Sequence, residues 1–226
     1  MDAARSLAIP SSPDQIDAAW LSAALGTEVT AARPGGDTGG IAVTSRVVRL
    51  RLDSAPPGSA PPRVVVKLPN PAWTHGSDLH RREVEFYTGF AAGVALPIPR
   101  CYYADFDDAT GAFVLVLEDV GDARHCLDGI DAAEADAVVD GLAALHRAWW
   151  KRPELGRLKV RAHPPDRIAA TVEAFADRWK LLEDGGRYPI DDRLRAVLAD
   201  VVDAYPAGMN AISSAPETLI HSDMHV

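Results

Sequence analysis

Hydrophobic and polar positions change their spacing several times along this chain, and each change marks an element. Ser12-Pro13 opens a predicted helix as N-cap and first-turn proline; Ile16, Trp20 and Leu25 recur at helical spacing and Gly26 closes it. Thr27 to Arg33 and Ile41 to Leu52 then read as a β-hairpin around the glycine-rich turn Gly35-Gly36-Asp37-Thr38-Gly39-Gly40. In its second strand Val48, Leu50 and Leu52 alternate with Arg49 and Arg51, which predicts one buried and one solvated face. Asp53 to Pro62 is expected to be a loop, and Arg63-Val64-Val65-Val66-Lys67-Leu68 a short β-branched strand.

Ser77 to Ala92 returns to helical period, ending near Gly93, and Pro97 and Pro99 mark a connector. Cys101 to Phe106 and Ala112 to Leu117 predict a second hairpin about the turn Asp107 to Gly111. From Asp131 the pattern is helical: Asp131 and Glu134 have capping-box spacing, and Ala135, Val138, Val139, Leu142, Leu145 and Trp149 form an apolar stripe. Arg167 to Leu182 and Asp191 to Tyr205 are two further amphipathic helices, and Thr218 to Val226 reads as a short strand running into a polar turn. A β-rich part followed by a helical part predicts an α+β protein of two lobes, residues 1–120 and 121–226.

Composition narrows the function classes. The 226 residues carry a net charge of -9, without the basic stripe of a nucleic-acid binder, so no nucleic-acid partner is expected. No stretch has the roughly 20 apolar residues of a membrane span and the N-terminus lacks a signal-peptide pattern, which predicts a cytoplasmic protein with no membrane partner. Cys101 and Cys126 have neither disulfide-framework nor zinc-site spacing. Only four of the basic residues are lysines, so a lysine in an unusual place stands out.

Lys67 is such a lysine, ending a three-valine strand where a charge needs a partner. On the following helix Leu79, Glu83, Phe86 and Phe90 fall on one face at about 100° per residue. Glu83 thus lies in an apolar stripe and is the nearest candidate partner for Lys67, a pairing that kinases use to hold nucleotide phosphates. The glycine turn could bring backbone amides to phosphates, but it is followed by Ile41-Ala42 rather than Lys-Ser/Thr, which argues against a P-loop. His221-Ser222-Asp223 puts an acid on a turn just past a predicted strand end; His221, Asp223 and His225 also allow a metal-dependent hydrolase reading.

In order along the chain, GGDTGGIAVTSRVVRL, RVVVK, RREVEFY, LPIPRCYY, FVLVLEDV, LAALHRAWW and LIHSDMH resemble the aminoglycoside phosphotransferase-like family of small-molecule kinases, with its choline-kinase and ecdysteroid-kinase-like branches. The resemblance implies a protein-kinase-like two-lobe fold, ATP as cofactor, and phosphoryl transfer to a small-molecule hydroxyl. It would make Lys67, held by Glu83, the phosphate contact and Gly36, Thr38, Gly39 and Gly40 its cover. Leu117, Glu118 and Val120 would be the hinge that meets adenine through free main-chain groups. Asp223 would orient the substrate hydroxyl and accept its proton, with His221 structuring the loop. In that family an Asn and a second acidic motif beyond H-x-D hold Mg²⁺. This sequence ends at Val226 before either, so the expectation is a C-terminally truncated transferase with an incomplete helical lobe and little activity alone. The alternative is a non-catalytic nucleotide-binding or interaction protein.

Overall fold

The computed structural model describes residues 7–36, 44–72, 77–121, 129–158, 165–186 and 190–220. Among them are five strands, which form one antiparallel sheet, and five α-helices, an α+β architecture. The strands are β1 (Glu28–Pro34), β2 (Ser45–Ala55), β3 (Arg63–Pro69), β4 (Cys101–Phe106) and β5 (Phe113–Glu118), in the order β1-β2-β3-β5-β4. The helices are α1 (Ala18–Leu25), α2 (Ser77–Gly89), α3 (Ala132–Trp149), α4 (Pro165–Asp184) and α5 (Asp192–Ser213).

Alternation along the central strands sorts side chains between two cores. Val64, Val66 and Leu68 of β3 join Leu50 and Leu52 of β2 and Val114 and Val116 of β5 on one face, where Ile16 and Leu21 cover them. On the other face Phe113, Leu115 and Leu117 of β5 pack beneath Val84 and Tyr87 of α2. With both faces covered, all five residues Phe113 to Leu117 are buried, which is why β5 reads as a continuous apolar run rather than an alternating one.

Several boundaries differ from the sequence expectation. The first helix begins at Asp17, whose carboxylate accepts the Trp20 amide at 2.7 Å; Ser12 makes no such bond and leads only into a 3₁₀ turn at Pro13–Gln15. Residues 53–55, expected in a loop, continue β2 because β1 supplies partners: Asp53 pairs with Ala31, Ser54 with Val29 and Ala55 with Glu28. Helix α2 ends at Gly89, and a 3₁₀ turn at Ala91–Gly93 follows. Helix α5 runs through Pro206 to Ser213 instead of stopping at Tyr205; the missing amide removes one helical hydrogen bond, and the turns on either side hold the helix together. Residues 218–220 form no strand, having no ladder partner among the described residues.

The chain divides into two compact units, Met1–Trp149 with Leu219–Val226, and Trp150–Thr218. Helix α3 therefore belongs with the sheet. Its Trp149 ring lies 5.3 Å from that of Phe90, and a Cβ on Gly141 would stand 3.0 Å from Leu96. The expected capping box opens this helix: Glu134 N–H donates to the Asp131 carboxylate and Asp131 N–H to the Glu134 carboxylate, both at 2.8 Å. No helix among the described residues is long and apolar enough to cross a membrane.

Candidate functional site

Lys67 occupies the alternate phase of β3 from Val66 and Leu68, so it lies on the α2 face of the sheet, opposite Val47 of β2 and Leu115 of β5. Its Nζ donates to Glu83 Oε1 of α2 at 2.5 Å. The two side chains are 23% and 32% exposed, so the pair is held but not sealed, and the ammonium retains room for a further anionic partner.

The helix reaches this position by a different face from the one the sequence suggested. Leu79, expected in the buried stripe with Glu83, is 46% exposed. The docking face is instead His80, Val84 and Tyr87, set against the hydrophobic row of β5. Glu83 sits on the border of that face, next to Val84, from where a carboxylate can lean over the sheet edge of the apolar contact. The pairing with Lys67 holds, while the phase of the stripe shifts by one residue. Arg81 pairs with Asp108 and lies over the Phe106 ring at 4.3 Å.

Around the ion pair, burial sets the protonation of three neighbours. The His80 ring stacks on Phe113 with centroids 4.2 Å apart, and its pKa is lowered by burial; the Glu83 carboxylate opposes that shift and the Lys67 ammonium adds to it. Burial pushes the Tyr87 phenol up to about 12 and the Cys101 thiol up to about 11, with Glu83 contributing to both. Cys101 is therefore a neutral thiol at physiological pH and a poor nucleophile.

The register also gathers charge on this face. Arg51 pairs with both Arg33 and Arg63, and Arg49 with Val65, which places Arg33, Arg49, Arg51, Arg63 and Lys67 on the same side of β1, β2 and β3. Among the described residues, Asp53 bonds Arg33 at 2.6 Å, Glu83 pairs with Lys67, and Asp119 lies against Arg49 and Arg63. A protein of net charge -9 thus carries a locally basic sheet face.

At the exit of β5, Glu118 and Val120 differ in what their main chains offer. The Glu118 amide donates to the Arg100 carbonyl at 2.8 Å, and its carboxylate accepts the Arg100 amide at 3.1 Å, so that amide is not available as the hinge reading supposed. Leu117 is buried and laddered to Val65 and Cys101. Val120 is 63% exposed and, among the described residues, makes no hydrogen bond. Between them Asp119, with a side chain only 1% exposed, lies 3.3 Å from Arg49 Nε and 3.5 Å from Arg63 Nε. Sequence reasoning passed over the Asp119 side chain, although an acid two residues past a continuous buried apolar run was the available signal.

No protein-family model matches the chain, and no curated protein matches it. The site rests on its own geometry.

The glycine turn is visible only at its start. Gly36 adopts φ +102°, a left-handed conformation that favours glycine. Gly35 is fixed by space: its amide donates to the Arg49 carbonyl at 2.7 Å, and a Cβ there would stand 2.7 Å from Arg49 Cγ. Thr38, Gly39, Gly40, His221 and Asp223, as well as His225 of the metal reading, lie outside the described residues.

Proposed function

We propose that the sheet-bearing part of this chain binds ATP and belongs to a phosphotransferase with a protein-kinase-like two-lobe fold. The observation that carries this reading is Lys67, positioned by Glu83 on a basic sheet face. An ammonium whose direction is set by a carboxylate, and which stays partly open to solvent, suits nucleotide phosphates. Val120, an exposed residue at the β5 exit, offers a place for the base through its main chain. Val64, three residues before Lys67 on β3, pairs with Glu118 across the ladder. The Lys67 backbone thus lies about 10 Å along the sheet from the β5 exit, a separation that a mononucleotide can span.

In this reading the hydroxyl oxygen of a small-molecule substrate attacks the γ-phosphorus and the bond to the β,γ-bridging oxygen breaks. ADP leaves and the hydroxyl proton passes to Asp223, with His221 ordering that turn. Lys67 and the turn from Gly36 to Gly40 hold the phosphates, and transfer relies on positioning and charge stabilisation. Mg²⁺ would supply neutralisation of the transferring phosphate. Among the described residues no group of three or more His, Cys, Asp or Glu side chains is arranged to hold a metal ion, so no step is assigned to it.

The test is thermal unfolding with and without ATP, in the presence and absence of Mg²⁺, comparing wild type with Lys67→Ala. At ATP near 100 times its Kd the wild-type protein should gain about 5–10 °C. Lys67→Ala should lose most of that gain, because a charge-assisted contact is worth about 1.5–3 kcal/mol. An equal gain in both proteins removes Lys67 from the site, and no gain in either removes the nucleotide.

A further inference from the structure

Asp119 is a buried carboxylate at the point where β5 leaves the sheet, and it is held by more than one strand. Its Oδ2 faces Arg49 Nε of β2 at 3.3 Å and Arg63 Nε of β3 at 3.5 Å, while its Oδ1 accepts the Gly121 amide at 2.9 Å. Arg49 closes the ring from the other side by donating through Nη2 to the Gly121 carbonyl at 3.1 Å. Gly121 has φ +85°, a left-handed conformation that favours glycine, and both its amide and its carbonyl are tied into the same cluster. A buried carboxylate without cations would be costly; two guanidinium groups at ion-pair distance, neither of them hydrogen-bonded to Oδ2, offset that cost, and the Gly121 amide fastens the side chain through Oδ1. Its effect falls on Val120, the exposed residue between Asp119 and Gly121, whose main chain is flanked by the cluster on both sides and, among the described residues, makes no hydrogen bond of its own.

We infer that Asp119, through Arg49, Arg63 and Gly121, is a positioning residue that presents the Val120 main chain to the base of a bound nucleotide. This rests on the ATP-binding reading above and adds the element that distinguishes a nucleoside triphosphate from its phosphates alone. Lys67 answers to the phosphates and the Asp119 fastening to the base, so the two should separate by ligand.

The experiment measures binding of ATP and of inorganic tripolyphosphate by calorimetry to wild type, Asp119→Ala, Arg63→Gln and Lys67→Ala. Wild type should prefer ATP. Asp119→Ala should weaken ATP about tenfold, the size of one lost charge-assisted hydrogen bond, and leave tripolyphosphate unchanged. Lys67→Ala should weaken both ligands. Arg63→Gln, whose side chain is 47% exposed and whose loss the fold can absorb, should reduce the ATP preference by about threefold and carries the test if Asp119→Ala fails to fold. Wild-type ATP preference retained in Arg63→Gln and Asp119→Ala overturns the positioning role and leaves the ATP reading intact. Parallel weakening of both ligands in these variants also overturns it, since that is the mark of a purely structural residue. A wild-type protein that binds neither ligand overturns the ATP reading and this inference with it.

Discussion

Lys67 and Glu83 stand 16 positions apart in sequence and meet at 2.5 Å, and the residues needed to foresee this were all visible. A lone lysine in a valine strand and a carboxylate amid apolar positions of the next helix each call for a partner of opposite sign. The exact helical phase was not visible, because α2 carries two overlapping candidate stripes and only packing on Phe113, Leu115 and Leu117 selects His80, Val84 and Tyr87. His80 is the residue this choice buries, and it gives a pH prediction. Burial lowers its pKa from the ordinary value of about 6.5, so the unfolded chain binds a proton at higher pH than the folded one. The stabilisation from a neutral His80 is present in full above about pH 6.5 and declines as pH falls below that value toward the lowered one. His80→Phe, which keeps a ring against Phe113, should show a smaller loss of Tm between pH 7.5 and 5.5 than wild type, roughly in that span of ordinary histidine titration. Identical pH curves for the two proteins would rule His80 out as a contributor.

At the scale of elements, strand identity came from β-branched runs and turn residues, and the strands stand close to where those patterns put them. What the pattern did not give was where the β2 register continues. Asp53 to Ala55 look like loop residues alone and become strand because β1 lies beside them. The glycine cluster is similar: composition marks a turn, but close approach explains why Gly35 must be glycine. Gly35→Ala would put a Cβ 2.7 Å from Arg49 Cγ and 3.1 Å from the Arg49 backbone, atoms that cannot swing away. The end of the β1–β2 pairing would have to shift, at a cost of about 1–3 kcal/mol. Urea unfolding checks this, and a midpoint unchanged from wild type would show that the strands yield freely. Because Arg49 also faces Asp119, the same substitution should disturb the β5 exit.

The whole molecule is uneven in how much it buries. Val64, Val66, Leu68 and all of Phe113 to Leu117 are buried in the sheet-bearing unit, whereas in Trp150–Thr218 the buried apolar residues among those described are Leu155 and Ile168. Leu181, Val197, Val201 and Ile212 of α4 and α5 are more than half exposed. Local stability follows buried apolar contact, so amides of β3 and β5 should exchange with deuterium slowest and those of α4 and α5 orders of magnitude faster. Hydrogen-exchange mass spectrometry decides this; equal protection in both units would show that α4 and α5 are stabilised by something other than their own packing. The sequence by itself determined the α+β class, the five strands of the sheet though not that Thr218 to Ile220 would stay out of it, the capped helix at Asp131 and the attraction between Lys67 and Glu83, because periodicity, turn chemistry and an uncompensated charge are local properties. The tertiary structure alone decided which face of α2 docks, that Arg33, Arg49, Arg51, Arg63 and Lys67 share one side of the sheet, and that Asp119 is fastened between two strands. Those depend on strand order and register, which bring together residues from distant segments that no local pattern connects.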